Sequence, residues 1–209
     1  DYLKMVSSVR VAPSINIKLY IMLALVLFFV IGCCGAVLLG RLSDIVDYLL
    51  YVDKKTGLPN REKLNIYIGE MAGKVLPEAF TCFTLNLDNL SELTKRFGYT
   101  VGDGVLKDFA GLVQLMGDTE GMRGYNGVGR FVVFFEECSS KKAAAMIRIL
   151  DNQVEEYNSL NPEYPIRYTA AWATTEETDT YEIRELLRLS QKKWKQMEKE
   201  KKDKTEEET

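Results

Sequence analysis

Few residues in this chain have the types and spacing that chemistry requires. Its 209 residues include no histidine, so the commonest transition-metal ligand and the usual near-neutral general base are both missing. Four cysteines are present. Cys33 and Cys34 adjoin one another inside an apolar run, while Cys82 and Cys138 stand alone. No pair has the spacing of a zinc site or a disulfide framework, and we read all four as reduced thiols packed as small hydrophobes. Two carboxylates invite a local explanation before a chemical one. Asp88 fits a turn before the helix cap Asn89, and Asp103 fits the reciprocal partner of Thr100 in a capping box. A net charge of −3 gives no sign of a nucleic-acid binder.

These groups must be held by the surrounding elements. Leu19 to Gly40 carries no charge and is bracketed by Lys18 and Arg41. About 20 apolar residues suffice to cross a bilayer, so residues 19–40 are expected to form a retained transmembrane helix. A cleaved signal peptide is the competing reading, but its apolar core would be shorter and followed by a small-residue cleavage site. The chain opens on Asp1 rather than Met, and residues 1–18 are taken as an extracytoplasmic stub, open to truncation. Cationic residues on both sides of the span leave its orientation unsettled by charge alone. Residues 41–52 form a linker helix in which Leu42, Ile45, Leu49 and Val52 are spaced 3, 4, 3, the seam along which two helices pack. Packing of this helix on its own domain is the alternative.

From residue 53 the pattern is that of an α/β (α+β) unit. Thr56–Asn60 is a turn, with Asn60 capping a helix lined by Leu64, Tyr67 and Met71. Phe80–Leu87 is a strand. Asn89 with Glu92, and Thr100 with Asp103, read as two capping boxes opening helices. The first of these helices is lined by Leu90, Leu93 and Phe97 and ended by Gly98; the second is lined by Val105, Phe109, Leu112 and Met116. Residues 121–125 and 131–136 read as paired strands turning at Asn126-Gly127. A long helix from Ser139 or Ser140 follows, lined by Ala143, Ile147, Leu150, Val154 and Tyr157. Ile166–Thr174 is the next strand. A last helix capped by Asp179 or Thr180 turns Ile183, Leu186, Leu187, Trp194 and Met197 inward. Residues 200–209 read as a charged, disordered tail.

Two stretches carry a family resemblance. Asp53-Lys-Lys-Thr-Gly-Leu-Pro-Asn-Arg61 resembles the D-x-L-T-G-L-P-N-R turn that opens GGDEF domains. Asn86 to Asp103 parallels, without gaps, the D-x-D-x-F-K-x-x-N-D-x-x-G-H-x-x-G-D block of that family. The signature then falls on Gly127-Val128-Gly129-Arg130-Phe131. The resemblance spans residues 53–199 and implies a nucleotidyl-cyclase-like central mixed sheet flanked by helices. It also implies a diguanylate cyclase ancestry, in which two GTP are joined into cyclic di-GMP across a face-to-face dimer.

The same resemblance implies that catalysis is lost. The family's metal carboxylates map to Asn86 and Gly129, and the signature Glu maps to the fixed cation Arg130. Hard Mg²⁺ needs anionic oxygen ligands, so the cofactor expectation is none. Val128 replaces a signature Gly that permits close backbone approach. The guanine-reading Asn maps to Thr94, and the guanine-reading Asp is kept as Asp103. Asp88 is also retained. The family's Lys and His in this block are Ser91 and Tyr99. Its product-inhibition motif is absent, with Asp118 and Gly121 at its two positions. In the last helix Trp194, Lys195 and Lys199 fall near the family's Tyr and phosphate-contacting Lys, without a secure alignment. Three functions are weighed: a non-catalytic module at the inner membrane, its domain cytoplasmic, working through dimerisation or a signalling partner; a sensor binding GTP or another nucleotide through Asp88, Thr94, Asp103 and Arg130, with the Arg130 fork meeting phosphate in place of metal; and, least favoured, an active cyclase. Function residing in a missing domain is a further alternative. Nucleic acid is not an expected partner.

Overall fold

The computed structural model describes residues 17–117 and 121–207. The chain divides into two units, Asp1–Tyr48 and Leu49–Thr209. The first unit's described part belongs to α1, Ile17–Tyr51, one uninterrupted helix in which no residue is buried. Its length and apolar composition suffice to cross a membrane. The linker residues 42–51 continue it, and Leu42, Ile45 and Leu49 are exposed on it. Val52 does not extend the seam: it leaves the helix and forms an isolated bridge with Pro59. Of the expected N-terminal stub, residues 1–16 lie outside the described residues.

The second unit is built on a four-stranded sheet in the order β2-β3-β1-β4. Its strands are β1 (Thr81–Leu87), β2 (Gly121–Gly127), β3 (Arg130–Phe135) and β4 (Tyr168–Thr174). The α+β class and the element order expected from sequence hold. The sheet is antiparallel at all three described pairings rather than mixed. β1 lies between β3 and β4 and is buried on both faces, with Phe83, Leu85 and Leu87 on one and Cys82 and a hydrogen-bonded Thr84 on the other. Phe83, Leu85 and Leu87 join Phe131, Val133 and Phe135 on one face. Helices α4 (Tyr99–Gln114) and α5 (Ser140–Leu160) cover that face. On the other, Cys82, Val132 and Phe134 meet Leu64 of α2 (Arg61–Met71) and Ile183 and Leu186 of α7 (Ile183–Glu207). Burying each such side chain is worth about 1.5–3 kcal/mol relative to exposure.

Several local expectations hold, and several are corrected. Asn60 caps α2, its side-chain oxygen accepting from the Glu62 and Lys63 amides. Ser139 caps α5 by accepting from the Lys142 amide. The reciprocal box at Asn89 does not form. Its amide donates to the Pro165 carbonyl at 2.7 Å and its oxygen accepts from the Arg167 amide at 3.1 Å, so it ties α3 (Leu90–Phe97) to the approach of β4. Glu92 pairs instead with Arg167. The box at Thr100 also fails, because Gly98, at φ 89°, opens α4 one residue before Thr100. In the last helix Glu182, not Asp179 or Thr180, accepts from the Glu185 amide. Asp179 ends a short helix, α6 (Thr175–Thr178), in a left-handed conformation. Met197 is exposed rather than inward. The expected disordered tail is helical through Glu207. It mixes acidic and basic residues, and its Lys201 finds partners on β4.

Candidate functional site

The site forms where β1 ends and the β2–β3 hairpin turns. The hairpin is present, but its turn is displaced from Asn126-Gly127 to Val128-Gly129, whose φ angles are +52° and +76°. Positive φ at both central residues is what a two-residue turn matching strand twist requires. Gly129 suits it. A Cβ there would also come within 3.1 Å of the Leu87 carbonyl. The Gly129 carbonyl accepts from the Leu87 amide at 2.9 Å, and its own amide donates to the Tyr125 hydroxyl. Val128 is strained, since a β-branched residue rarely adopts this conformation, and it is 81% exposed. Gly127 keeps its place in the strand with φ +83°.

Arg130 is exposed at the start of β3, opposite Asn86 in the register. Phe131, next to it, is fully buried against Phe109 and Tyr125, so it serves the core. Asp88 is held by three groups. The Asn86 amide donates to one oxygen at 2.9 Å. The Thr169 hydroxyl donates to the other at 2.6 Å. The Lys201 ammonium stands 3.6 Å from that second oxygen and also donates to Thr169 Oγ1 and the Tyr168 carbonyl. Thr94 turns its hydroxyl onto the Leu90 carbonyl of its own helix at 2.7 Å, and Gly102 packs directly against it. Asp103 is bonded at 2.8 Å to Lys55 of the opening turn, and this partner holds the Lys55 ammonium above its ordinary range.

One cleft brings together Asn86, Asp88, Thr94, Val128 and Arg130, with Trp194 and Lys195 from α7. Asp103, Gly127, Gly129 and Phe131 are not among its lining residues. A second, adjoining cleft shares Asn86 and Asp88 and adds Arg167, Thr169 and Lys201. Sequence reasoning missed Lys201 altogether. It lies in the stretch expected to be disordered, and no local signal ties it to Asp88.

The donor set does not suit a divalent metal. Asn86 offers only a neutral amide oxygen, position 129 has no side chain, and Arg130 is a permanent cation. The one carboxylate at the end of β1 has an ammonium beside it. Among the described residues no group of three His, Cys, Asp or Glu side chains is placed to hold a metal ion.

The family model that matches is "Diguanylate cyclase, GGDEF domain", over residues 50–204. No curated protein matches in sequence. Among solved structures the chain is similar to a diguanylate cyclase/phosphodiesterase from Caldicellulosiruptor saccharolyticus. The identity is 18% and the TM-score 0.56, covering 73% of this chain and 91% of that one. It is also similar to the coiled coil and GGDEF domain of DgcB from Caulobacter crescentus in complex with c-di-GMP. There the identity is 15% and the TM-score 0.59, covering 72% of this chain and 83% of that one. The S helix-GGDEF-EAL structure of Vibrio cholerae LapD, bound to c-di-GMP, aligns at 14% identity and TM-score 0.53, over 65% of this chain and only 31% of that one. At these identities the structural likeness speaks for the fold, and the family match carries the assignment: the chain belongs to the GGDEF domain family and is a signalling module of the cyclic di-GMP class.

Proposed function

We propose that this chain is a membrane-anchored GGDEF module that has given up catalysis and signals through dimerisation or partner binding. The observation that carries the reading is the end of β1. Where phosphoryl transfer would need metal ions to neutralise triphosphate charge, the chain places Asn86, Gly129 and Arg130, and its remaining Asp88 is neutralised from within by Lys201. Arg130 cannot replace a base, because a guanidinium keeps its proton. The hydrophobic faces of the sheet are meanwhile filled, which supports selection for the scaffold rather than decay of the whole domain.

The apolar α1 supports anchoring at the inner membrane, with the GGDEF unit on the cytoplasmic side. The exposed Leu42, Ile45 and Leu49 support pairing of two copies along the linker. Cysteine crosslinking in membranes tests this part: Ile45→Cys and Leu49→Cys should crosslink, and equal crosslinking around the helix would count against a seam.

A nucleotide-sensing reading is favoured by one observation, the cations Lys95, Arg130 and Lys195 in the cleft. Titration of GTP without metal separates it from the first reading. The test of lost catalysis is an assay for cyclic di-GMP by the whole chain at high GTP with Mg²⁺ or Mn²⁺. No product is expected, and product from the unmodified chain would remove the proposal.

A further inference from the structure

The cleft between the β2–β3 turn, α3 and α7 has a volume of about 760 Å³. Three cations line it: Lys95 from α3, Arg130 from β3 and Lys195 from α7. All three are exposed, and none makes a hydrogen bond or ion pair among the described residues. Three cations lining one cleft without protein partners give it a local positive potential, which attracts an anion. The acids in the same wall do not supply it. Asp88 is occupied by Asn86, Thr169 and Lys201, and Glu198 has interactions of its own.

The rim of the cleft is apolar. Val128 is 81% exposed and Tyr99 is 77% exposed. No packing requirement explains a valine at φ +52° at the tip of a solvent-facing turn, and strained backbone of this kind persists where it serves a function. The wall includes Trp194, nearly buried, whose indole N–H has no acceptor among the described residues. An exposed tyrosine beside an arginine and a tryptophan has the composition of a protein-binding centre, and the exposed valine adds apolar surface to it. A phosphate group would need the cations but neither apolar residue, and a flat bilayer would not enter a concave site.

We infer that this cleft docks an acidic segment of a partner protein, its carboxylates on Lys95, Arg130 and Lys195 and one bulky apolar side chain between Val128 and Tyr99. The inference rests on the non-catalytic reading above and names the partner chemistry of the same site. The Arg130 fork fits a carboxylate bidentately, and attraction across such a surface weakens with salt.

The test is selection of a random-peptide phage library on the whole chain in detergent, with counter-selection on the Arg130→Glu and Val128→Ser variants. Both positions are exposed, and thermal melts establish that each variant is folded. Enriched peptides should be rich in Asp and Glu around one large apolar residue. A synthetic representative should bind roughly tenfold more weakly to Arg130→Glu, more weakly to Val128→Ser, and more weakly as ionic strength rises. Peptides without acidic bias, or peptides that bind both variants equally, would overturn the inference. So would a failure to enrich any peptide, whether or not metal-free GTP binds in an Arg130-dependent way. Cyclic di-GMP production would instead overturn the non-catalytic reading, whatever the library returned. A silent library with no cyclase activity removes the docking claim alone.

Discussion

The two ends of β1 have been held to different standards. From Thr81 to Leu85 every residue is buried between the facing helices and the neighbouring strands. Phe83 packs edge-on against Phe135 with centroids 5.9 Å apart. Beyond Leu85 polar residues enter: Asn86 bonds Asp88, and Asp88 and Asn89 are engaged by Thr169, Lys201, Pro165 and Arg167. Packing constrains the first end, because a close-packed core feels the loss of even one methylene. The second end is free to change its chemistry without unfolding the domain, and the proposed loss of catalysis is placed there.

The largest effect should come from the packed end. Phe83→Ala is expected to cost about 3–5 kcal/mol in a denaturant titration. A loss near that of an exposed residue would erase the contrast. At the polar end the signs should be mixed. Gly129→Asp, which introduces the carboxylate that the family resemblance implies, is expected to cost about 1–2 kcal/mol. It places a side chain at φ +76° and a Cβ 3.1 Å from the Leu87 carbonyl. Consequently the combined change Asn86→Asp, Val128→Gly, Gly129→Asp, Arg130→Glu puts the residues implied by the family resemblance into a turn whose backbone opposes one of them. Val128→Gly alone should stabilise the domain by about 1 kcal/mol by relieving the left-handed valine. A loss of stability would mean that Val128 packs in a way its exposure contradicts.

The smallest mutational effect should be at Lys201. Its ion pair with Asp88 is solvent-exposed, and Lys201→Ala is expected to cost less than about 1 kcal/mol.

The packed end also has a pH signature. Burial pushes the Cys82 thiol up to about 12 from 9.0, against a hydrogen-bonding Ser190 that lowers it. The folded state therefore holds this proton more tightly than the unfolded one. Its contribution to stability is complete below pH 9.0 and is lost as pH rises toward 12. Denaturant midpoints measured across that window should fall, and Cys82→Ala should flatten the fall.

The contrast also explains what the sequence revealed. β1, α2 with its Asn60 cap, and the hairpin were legible because apolar period and turn residues are local signals. The turn was misplaced by two residues because Asn126-Gly127 is the better turn pair by composition, while strand pairing across Gly127 and Arg130 puts Val128-Gly129 at the bend. The two capping boxes were misread for different reasons: tertiary bonds draw Asn89 to the segment before β4, while the local backbone of Gly98 starts α4 early. That Asn86, Val128 and Arg130 line one cleft was indicated only through the family resemblance. The hold of Lys201 on Asp88 was not, since nothing near either residue signals the other.

The most direct measurement is a Mn²⁺ electron paramagnetic resonance titration of the whole chain in detergent with GTP present. Mn²⁺ takes the same oxygen ligands as Mg²⁺ and reports its own coordination. If the polar end of β1 no longer supports a metal, the spectrum should remain that of Mn²⁺ with GTP in free solution. A protein-bound Mn²⁺ signal that Asp88→Asn abolishes would contradict the account.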